Sequence, residues 1–84
     1  MYRYYLFYYD DYYPLGGMND CVLKTNNFND LEQFIHKNFE SRYWMGTIAY
    51  YDAVEDKDMH ADMELYEDEN HFDRWRFVGW EVNL

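Results

Sequence analysis

The chain has 84 residues, the size of one domain, and it includes eleven Tyr, six Phe and three Trp. Aromatic side chains supply a core and favour strands, so this composition excludes a disordered chain despite the net charge of −10. The same charge disfavours nucleic acids and membranes as direct partners. Cys21 is the only cysteine, which excludes an intramolecular disulfide and a cysteine-based zinc cluster.

Targeting and membrane segments are not expected either. No stretch approaches the roughly 20 apolar residues of a membrane span. The N-terminal sequence has no long aliphatic run and no small-residue cleavage site, so it does not resemble a signal peptide. We therefore expect residues 1–84 to form a single intracellular domain.

The first elements in chain order are two predicted strands. Residues 2–10 are dense in aromatics and apolar on both faces, which predicts a strand that is central in a sheet or covered on both sides. A turn or wide loop follows, because Pro14 fixes φ and Gly16-Gly17 permit positive φ. Residues 21–25 then form a short second strand.

A helix follows, since the apolar residues change to helical spacing. Asn29 and Glu32 have the spacing of a capping box, which predicts a helix from about Asp30 to Glu40. One stripe of this helix should pack on the sheet; it consists of Phe28, Leu31, Phe34, Ile35 and Phe39.

Three more strands complete the prediction. Residues 44–52 form the third strand, and residues 56–58 fit a turn. Residues 59–67 alternate between apolar and polar side chains, which is typical of a half-buried strand. After a polar loop comes the last strand, whose apolar residues would alternate onto both faces of the sheet in a regular strand. We predict a bulge at Val78-Gly79, which turns all of them inward. These residues are Trp75, Phe77, Trp80, Val82 and Leu84.

The predicted fold class is therefore α+β. We expect a mostly antiparallel five-stranded sheet, in the order β-β-α-β-β-β, with one helix packed on one face. The last three strands should form a meander.

Neither catalysis nor metal binding is indicated. The carboxylates of residues 52–58 and 67–73 lack the glycine of a calcium loop, and Gly16-Gly17 lacks the Lys-Ser/Thr of a phosphate loop. Cys21 and His36 could form a nucleophile–base pair, but His36 more plausibly faces solvent. We expect no enzymatic activity, no metal and no cofactor.

The acidic residues are strongly concentrated. Residues 52–73 hold ten Asp or Glu against Lys57 alone, a net charge near −9 out of −10 for the chain. Such a surface could imitate a phosphate backbone and bind a protein with a Lys/Arg-lined nucleic-acid groove. The proposed contacts are Asp56, Asp58, Asp62, Glu64, Tyr66, Glu67, Asp68 and Glu69. Arg74 and Arg76 more plausibly neutralise carboxylates on the neighbouring strand.

Part of the chain resembles small phage-encoded proteins. Two segments carry the resemblance, covering roughly residues 5–59: YYPLGGMNDCVLKTNNFNDLEQFIHKNF and WMGTIAYYDAVEDKDM. They contain a strand, a Tyr-Pro-x-Gly-Gly-x-x-Asp loop, a short strand, an acidic-capped helix and a strand ending in Asp. In size, acidity and composition the chain is also similar to anti-CRISPR proteins and ArdA-type antirestriction proteins, some of which mimic DNA. This resemblance implies a host-defence target in the host cytoplasm.

Three functional hypotheses follow from the sequence. The leading one is a non-enzymatic inhibitor that binds the basic groove of a CRISPR effector or restriction nuclease. The second is a phage structural or assembly module, a homodimer whose acids serve solubility only. The third is a small-molecule or nucleotide sponge with an aromatic pocket at a dimer interface.

Overall fold

The structure is a computed structural model that describes residues 1–11, 16–40 and 44–82. In this part of the chain it contains one α-helix and five strands: β1 (Tyr4–Asp10), β2 (Cys21–Thr25), α1 (Phe28–Phe39), β3 (Gly46–Asp52), β4 (Lys57–Glu67) and β5 (Asp73–Val82). A 3₁₀ helix, Gly17–Asp20, precedes β2. Pro14 and Leu84, which entered the sequence predictions, lie outside the described residues.

The strands form one five-stranded sheet in the order β2-β1-β3-β4-β5. Every neighbouring pair is antiparallel, which confirms the predicted antiparallel five-stranded sheet and the meander of the last three strands. β1 lies between β2 and β3, so the inner position predicted for residues 2–10 is confirmed. The alternative for this strand, cover on both faces, is not what the structure shows.

The two faces of the sheet differ because side chains alternate along each strand. The face that carries Leu6, Ile48 and Tyr50 shares one apolar cluster with the helix. The helix contributes its fully buried residues Leu31 and Ile35 to that cluster. The further aromatic members pack mostly edge to face, and they are Tyr4, Phe39 and Trp44.

The predicted α+β class, with a helix packed on one face of the sheet, is wrong. The fold is β-rich, with 53% of the described residues in strands and 21% helical. A helix of 12 residues is about 18 Å long, whereas the molecule extends over 43 Å. One short helix therefore covers only part of one face and does not form a complete second layer over this sheet. Leu65, which shares its strand parity with the inward Met59 and Met63, is 45% exposed.

The helix also begins earlier than predicted. Asn27, not Asn29, is the N-cap, and its side chain accepts a hydrogen bond from the Asn29 N–H at 3.0 Å. The Thr25 hydroxyl fixes the same corner, since it donates to Asp30 at 2.6 Å and accepts from the Asn27 N–H at 3.0 Å. Phe28 thereby becomes the first residue of the helix.

The bulge predicted at Val78-Gly79 is confirmed. Asp62 pairs with Gly79, but the next residue of β4, Met63, pairs with Phe77, so Val78 is the extra residue. This shift places Trp75, Phe77 and Trp80 together against the core, while Val78 is exposed. The prediction that Val82 also turns inward is wrong, because Val82 is 60% exposed. Beside the bulge, the Phe77 N–H donates to the Glu40 carboxylate at 2.7 Å and connects β5 to the end of the helix.

Asp52 is a buried carboxylate with several hydrogen-bond donors around it. Its side chain is 3% exposed and accepts hydrogen bonds from Arg3 Nε at 3.1 Å and from Arg3 Nη2 at 3.0 Å. It also accepts the N–H groups of Val54 and Glu55 in the β3–β4 turn. The Arg3 hydrogen bond, opposed by burial and reinforced by these N–H groups, holds the pKa of the Asp52 carboxyl below its usual range.

Gly46 has a steric requirement that Gly79 lacks. A Cβ at Gly46 would collide with the Tyr9 carbonyl oxygen and approach Tyr8 Cε1 to 2.8 Å, whereas a Cβ at Gly79 would meet nothing within 4 Å. We expect Gly46→Ala to lower the free energy of unfolding by about 1–3 kcal/mol, because backbone must move. Gly79→Ala is the matched control and should change it much less. Urea denaturation of both variants measures the free energy of unfolding. An equal decrease in Gly46→Ala and Gly79→Ala would contradict the steric requirement at Gly46.

The Asp52 network predicts a specific acid sensitivity. Because the folded pKa lies below the unfolded value, the stability that the ionised carboxylate contributes is complete above about pH 4. It is lost as pH falls through the folded pKa. The difference in unfolding free energy between wild type and Asp52→Asn should therefore be large at neutral pH and shrink in acid. Denaturation at several pH values tests this, with Glu32→Gln on the helix as control; a pH-independent difference would contradict it.

Candidate protein-binding face

The sheet face opposite the helix carries an aromatic patch, defined as Tyr5, Phe7, Tyr9 and Tyr51. Its members lie on neighbouring strands, since Tyr5 pairs with Tyr51 across β1 and β3. Phe7 and Tyr9 stack in parallel, with ring centroids 5.8 Å apart and an interplanar angle of 3°. All four side chains are half-buried. Together with Met18, which is 54% exposed, they line an open groove of about 490 Å³.

The acidic row, defined as Asp58, Asp62 and Glu64, lies on this same face. Asp58 is the cross-strand partner of Tyr51, so the row begins at the edge of the aromatic patch. From there alternation along β4 keeps Asp62 and Glu64 on that side, about 6.8 Å apart. His60 lies between Asp58 and Asp62 on the same face and is 3.0 Å from the Glu81 carboxylate. Among the ion pairs of the described residues, none includes Asp58 or Asp62.

Arginine reduces the charge at the far end of the row. Arg76, on β5, contacts Glu64 at 3.4 Å, and its guanidinium lies 4.9 Å from the centroid of the Tyr66 ring. The prediction that Arg76 neutralises a carboxylate on the neighbouring strand is therefore confirmed. Tyr66, one of the predicted partner contacts, thus has its ring beside an arginine of the same chain.

Asp68 organises the β4–β5 connection. It accepts the N–H groups of Asn70 at 2.9 Å and Phe72 at 3.0 Å, and it is paired with Arg74. The Arg74 hydrogen bond, followed by the Phe72 N–H, lowers the pKa of the Asp68 carboxyl. Asp68 thus has a role in the turn itself, which its sequence position alone did not reveal.

The other predicted contacts lie at the two ends of β4. Glu67 is 2.6 Å from His71 Nδ1, and Glu69 is exposed in the turn. At the opposite end, the Tyr51 hydroxyl donates to Asp56 at 2.7 Å. That hydrogen bond is the main reason why the pKa of Tyr51 is raised. Asp56 is therefore beside the aromatic patch, whereas Glu67 and Glu69 are far along the hairpin.

The comparisons with known proteins were informative in one case. A family model described as bacteriophage T4 protein Y07C matches residues 4–81. The chain belongs to this family. It is a phage protein, as the sequence predicted. The match does not extend to the anti-CRISPR or ArdA-type proteins. No curated protein and no solved structure matches the chain.

Several features of this phage protein bear on other kinds of site. Within residues 1–11, 16–40 and 44–82, no group of three or more His, Cys, Asp or Glu side chains could hold a metal ion. In the same residues, no helix has the length and apolar character needed to cross a membrane. The Cys21 thiol donates to the Leu23 carbonyl oxygen at 3.5 Å, and His36 lies 2.5 Å from Glu40. His36 is exposed, as predicted.

The aromatic patch is the feature that sequence reasoning missed. Residues 2–10 were assigned to a strand with two apolar faces, and only one of those faces is covered. The alternation of Tyr5, Phe7 and Tyr9 was visible in the sequence. What it did not show is that the single helix would cover the other parity.

The structural role of Asp68 generates a prediction for this phage protein. Asp68→Ala should lower the melting temperature by several degrees, because two turn N–H groups and Arg74 lose their acceptor. Asp62→Ala removes a carboxylate with no such partners in the described structure and should leave the melting temperature nearly unchanged. Thermal unfolding followed by circular dichroism measures both. Equal stability of the two variants would rule out this role.

Proposed function

We propose that this phage protein is a non-enzymatic inhibitor of a host nucleic-acid-handling defence protein, such as a CRISPR effector or restriction nuclease. It acts in the host cytoplasm by occupying the basic groove in which the target normally binds nucleic acid. The observation that carries this proposal is the acidic row on the open face of the sheet. There Asp62 and Glu64 are successive side chains on one face of β4, and Asp58 lies beside the apolar contact area of the aromatic patch.

The spacing of the row fits this role. Successive same-face side chains of β4 are about 6.8 Å apart. One strand of duplex DNA has a phosphate every 3.4 Å or so along the axis, so every second phosphate is displaced by about 6.8 Å along the axis. Asp62 and Glu64 have this spacing, whereas Asp58 lies about 13.6 Å from Asp62, with His60 between them on the same face. A groove that pairs Lys or Arg with phosphates can therefore pair them with these three carboxylates. Bidentate arginine–carboxylate contacts would add to the affinity.

The intramolecular ion pairs refine the set of contacts. Asp58 and Asp62, with no ion pair among the described residues, are offered to a partner at little cost. Glu64 already contacts Arg76, so a target cation would have to compete with that arginine. Asp68 accepts hydrogen bonds from the turn N–H groups and stabilises the turn. We therefore assign the main contribution to Asp58 and Asp62, with Asp56 beside them. Glu67 and Glu69 extend the negative field along the hairpin.

A paired substitution tests the proposal. Asp58→Asn/Asp62→Asn raises the net charge by two at the row, and Glu32→Lys raises it by two on the helix. We expect the double variant to weaken target binding at least tenfold, since close charge pairs at interfaces couple by about 1.5 kcal/mol or more. Glu32→Lys should bind nearly as wild type does. Both proteins should keep the wild-type melting temperature within a few degrees.

The target is identified by affinity capture from host lysate at low and high salt, with mass spectrometry. The proposal would be supported by capture of a nuclease or DNA-binding protein on wild type and on Glu32→Lys, but not on the double variant. High salt should release this protein, and duplex DNA should displace it. A target that the double variant retains as tightly as wild type would disprove charge mimicry.

A second candidate function is a homodimeric assembly module. It is favoured by the open sheet, because β2 and β5 each pair with a single strand among those described. Unpaired strand edges invite pairing with another copy. Sedimentation at two concentrations distinguishes this candidate, since such a dimer depends on concentration and tolerates high salt.

A further inference from the structure

We propose that the aromatic patch is an arginine-binding surface, on which a guanidinium of the partner protein stacks while it pairs with Asp58 or Asp56. This inference rests on the proposed function and specifies its chemistry. The acidic row supplies charge that any cation can use. The patch beside it supplies a preference for arginine over lysine.

The first argument is the composition of the patch. Its half-buried rings lie next to Asp58, which pairs with Tyr51 across the strands, and to Asp56, which accepts the Tyr51 hydroxyl hydrogen bond. A guanidinium is planar and weakly hydrated, so it stacks on aromatic faces and still donates to a carboxylate. An ammonium is a strongly hydrated point charge and gains less from a ring.

The second argument is that this protein uses the same arrangement twice within its own fold. Arg76 lies 4.9 Å from the Tyr66 ring centroid and contacts Glu64. Arg3 lies 5.0 Å from the Tyr4 ring centroid and pairs with the Asp52 carboxylate. In each case the arginine is held jointly by a ring and a carboxylate.

The third argument is electrostatic. The pKa of Tyr9 is raised by burial first, and then by the negative charges of Asp20 and Asp58. The surroundings of this ring therefore favour a cation and disfavour a phosphate. Lys24 is the partner of Tyr5 in the β1–β2 register, so the opposite, Asp58 side of the patch is where a partner's arginine would bind.

The groove also has a suitable size. Its volume of about 490 Å³ falls within the range of small ligand sites. Its apolar walls can accommodate the methylene groups of a long side chain, which arginine buries readily. A nucleotide base could stack there too, but its phosphates would face Asp58 and Asp20.

The test compares octa-arginine with octa-lysine, two peptides of equal charge. We expect wild type to bind octa-arginine about two- to fivefold more tightly, the range for one exposed cation–π contact. Phe7→Val/Tyr9→Val should lose this preference and keep its affinity for octa-lysine. Phe72→Val is the matched control, because Phe72 is exposed in the β4–β5 connection, and it should keep the preference. Calorimetry gives the affinities.

A second measurement on wild type does not depend on how the variants fold. In NMR titrations with N-acetyl-arginine amide, the ring signals of the aromatic patch should shift more than with the lysine analogue. Equal affinity for both peptides, or shifts confined to other rings, would overturn the inference and leave the proposed function intact. Failure of both peptides to bind would instead count against the proposed function.

Other occupants of the patch would be recognised in the same experiments. A dimer that buries Tyr5 and Tyr9, or an oligothymidylate that binds the patch as tightly as octa-arginine, would overturn the assignment. Sedimentation and the same NMR titration detect these two outcomes.

Discussion

The Asp52 carboxylate is the interaction on which the centre of the sheet depends. It is buried, and it joins the segment before β1, through Arg3, to the turn that connects β3 and β4, through Val54 and Glu55. These contacts fix where the β3–β4 turn begins and hence the register in which β4 pairs with β3. Since the position of Asp58 opposite Tyr51 follows from that register, the candidate binding face depends on a residue that points to the other side of the sheet.

The open face combines two kinds of surface that usually work differently. Carboxylates attract a basic partner over a distance and set the rate of encounter, whereas aromatic rings act at contact and slow dissociation. Here they are adjacent because consecutive strands of a meander place neighbouring residues side by side. The sheet therefore presents Asp58 at one border of the aromatic rings, and Asp62 and Glu64 farther along β4. A partner drawn to the carboxylates, as proposed, would meet the rings without any rearrangement.

Much of the fold could be read from the sequence, and particular residues show why. The alternation of residues 59–67 predicted a strand, and the parity change between Phe77 and Trp80 predicted a bulge, because both rest on local geometry. The helix start was misassigned, since Asn27 and Asn29 are both good caps and the choice depends on Thr25 and Asp30. The class was wrong because a sequence gives the length of a helix but not the area of sheet it must cover.

The candidate site was only partly predictable, for a related reason. Composition located the acids within residues 52–73, but it could not separate those that serve the fold from those left for a partner. That distinction depends on contacts such as Asp68 with the turn N–H groups and Glu64 with Arg76. The aromatic patch escaped notice because a half-buried ring and a core ring look alike in sequence.

The distribution of chromophores between the two faces has a spectroscopic consequence. Trp44, Trp75 and Trp80 all lie on the helix side, where the Trp44 and Trp75 rings are 5.0 Å apart and Trp80 is 4.7 Å from Tyr50. The open face carries tyrosine and phenylalanine. Tryptophan emission is therefore a natural probe of the intact core, while tyrosine absorbance includes the surface on which a partner would dock. Unfolding and docking can therefore be followed by different signals, tryptophan emission for the first and tyrosine absorbance for the second.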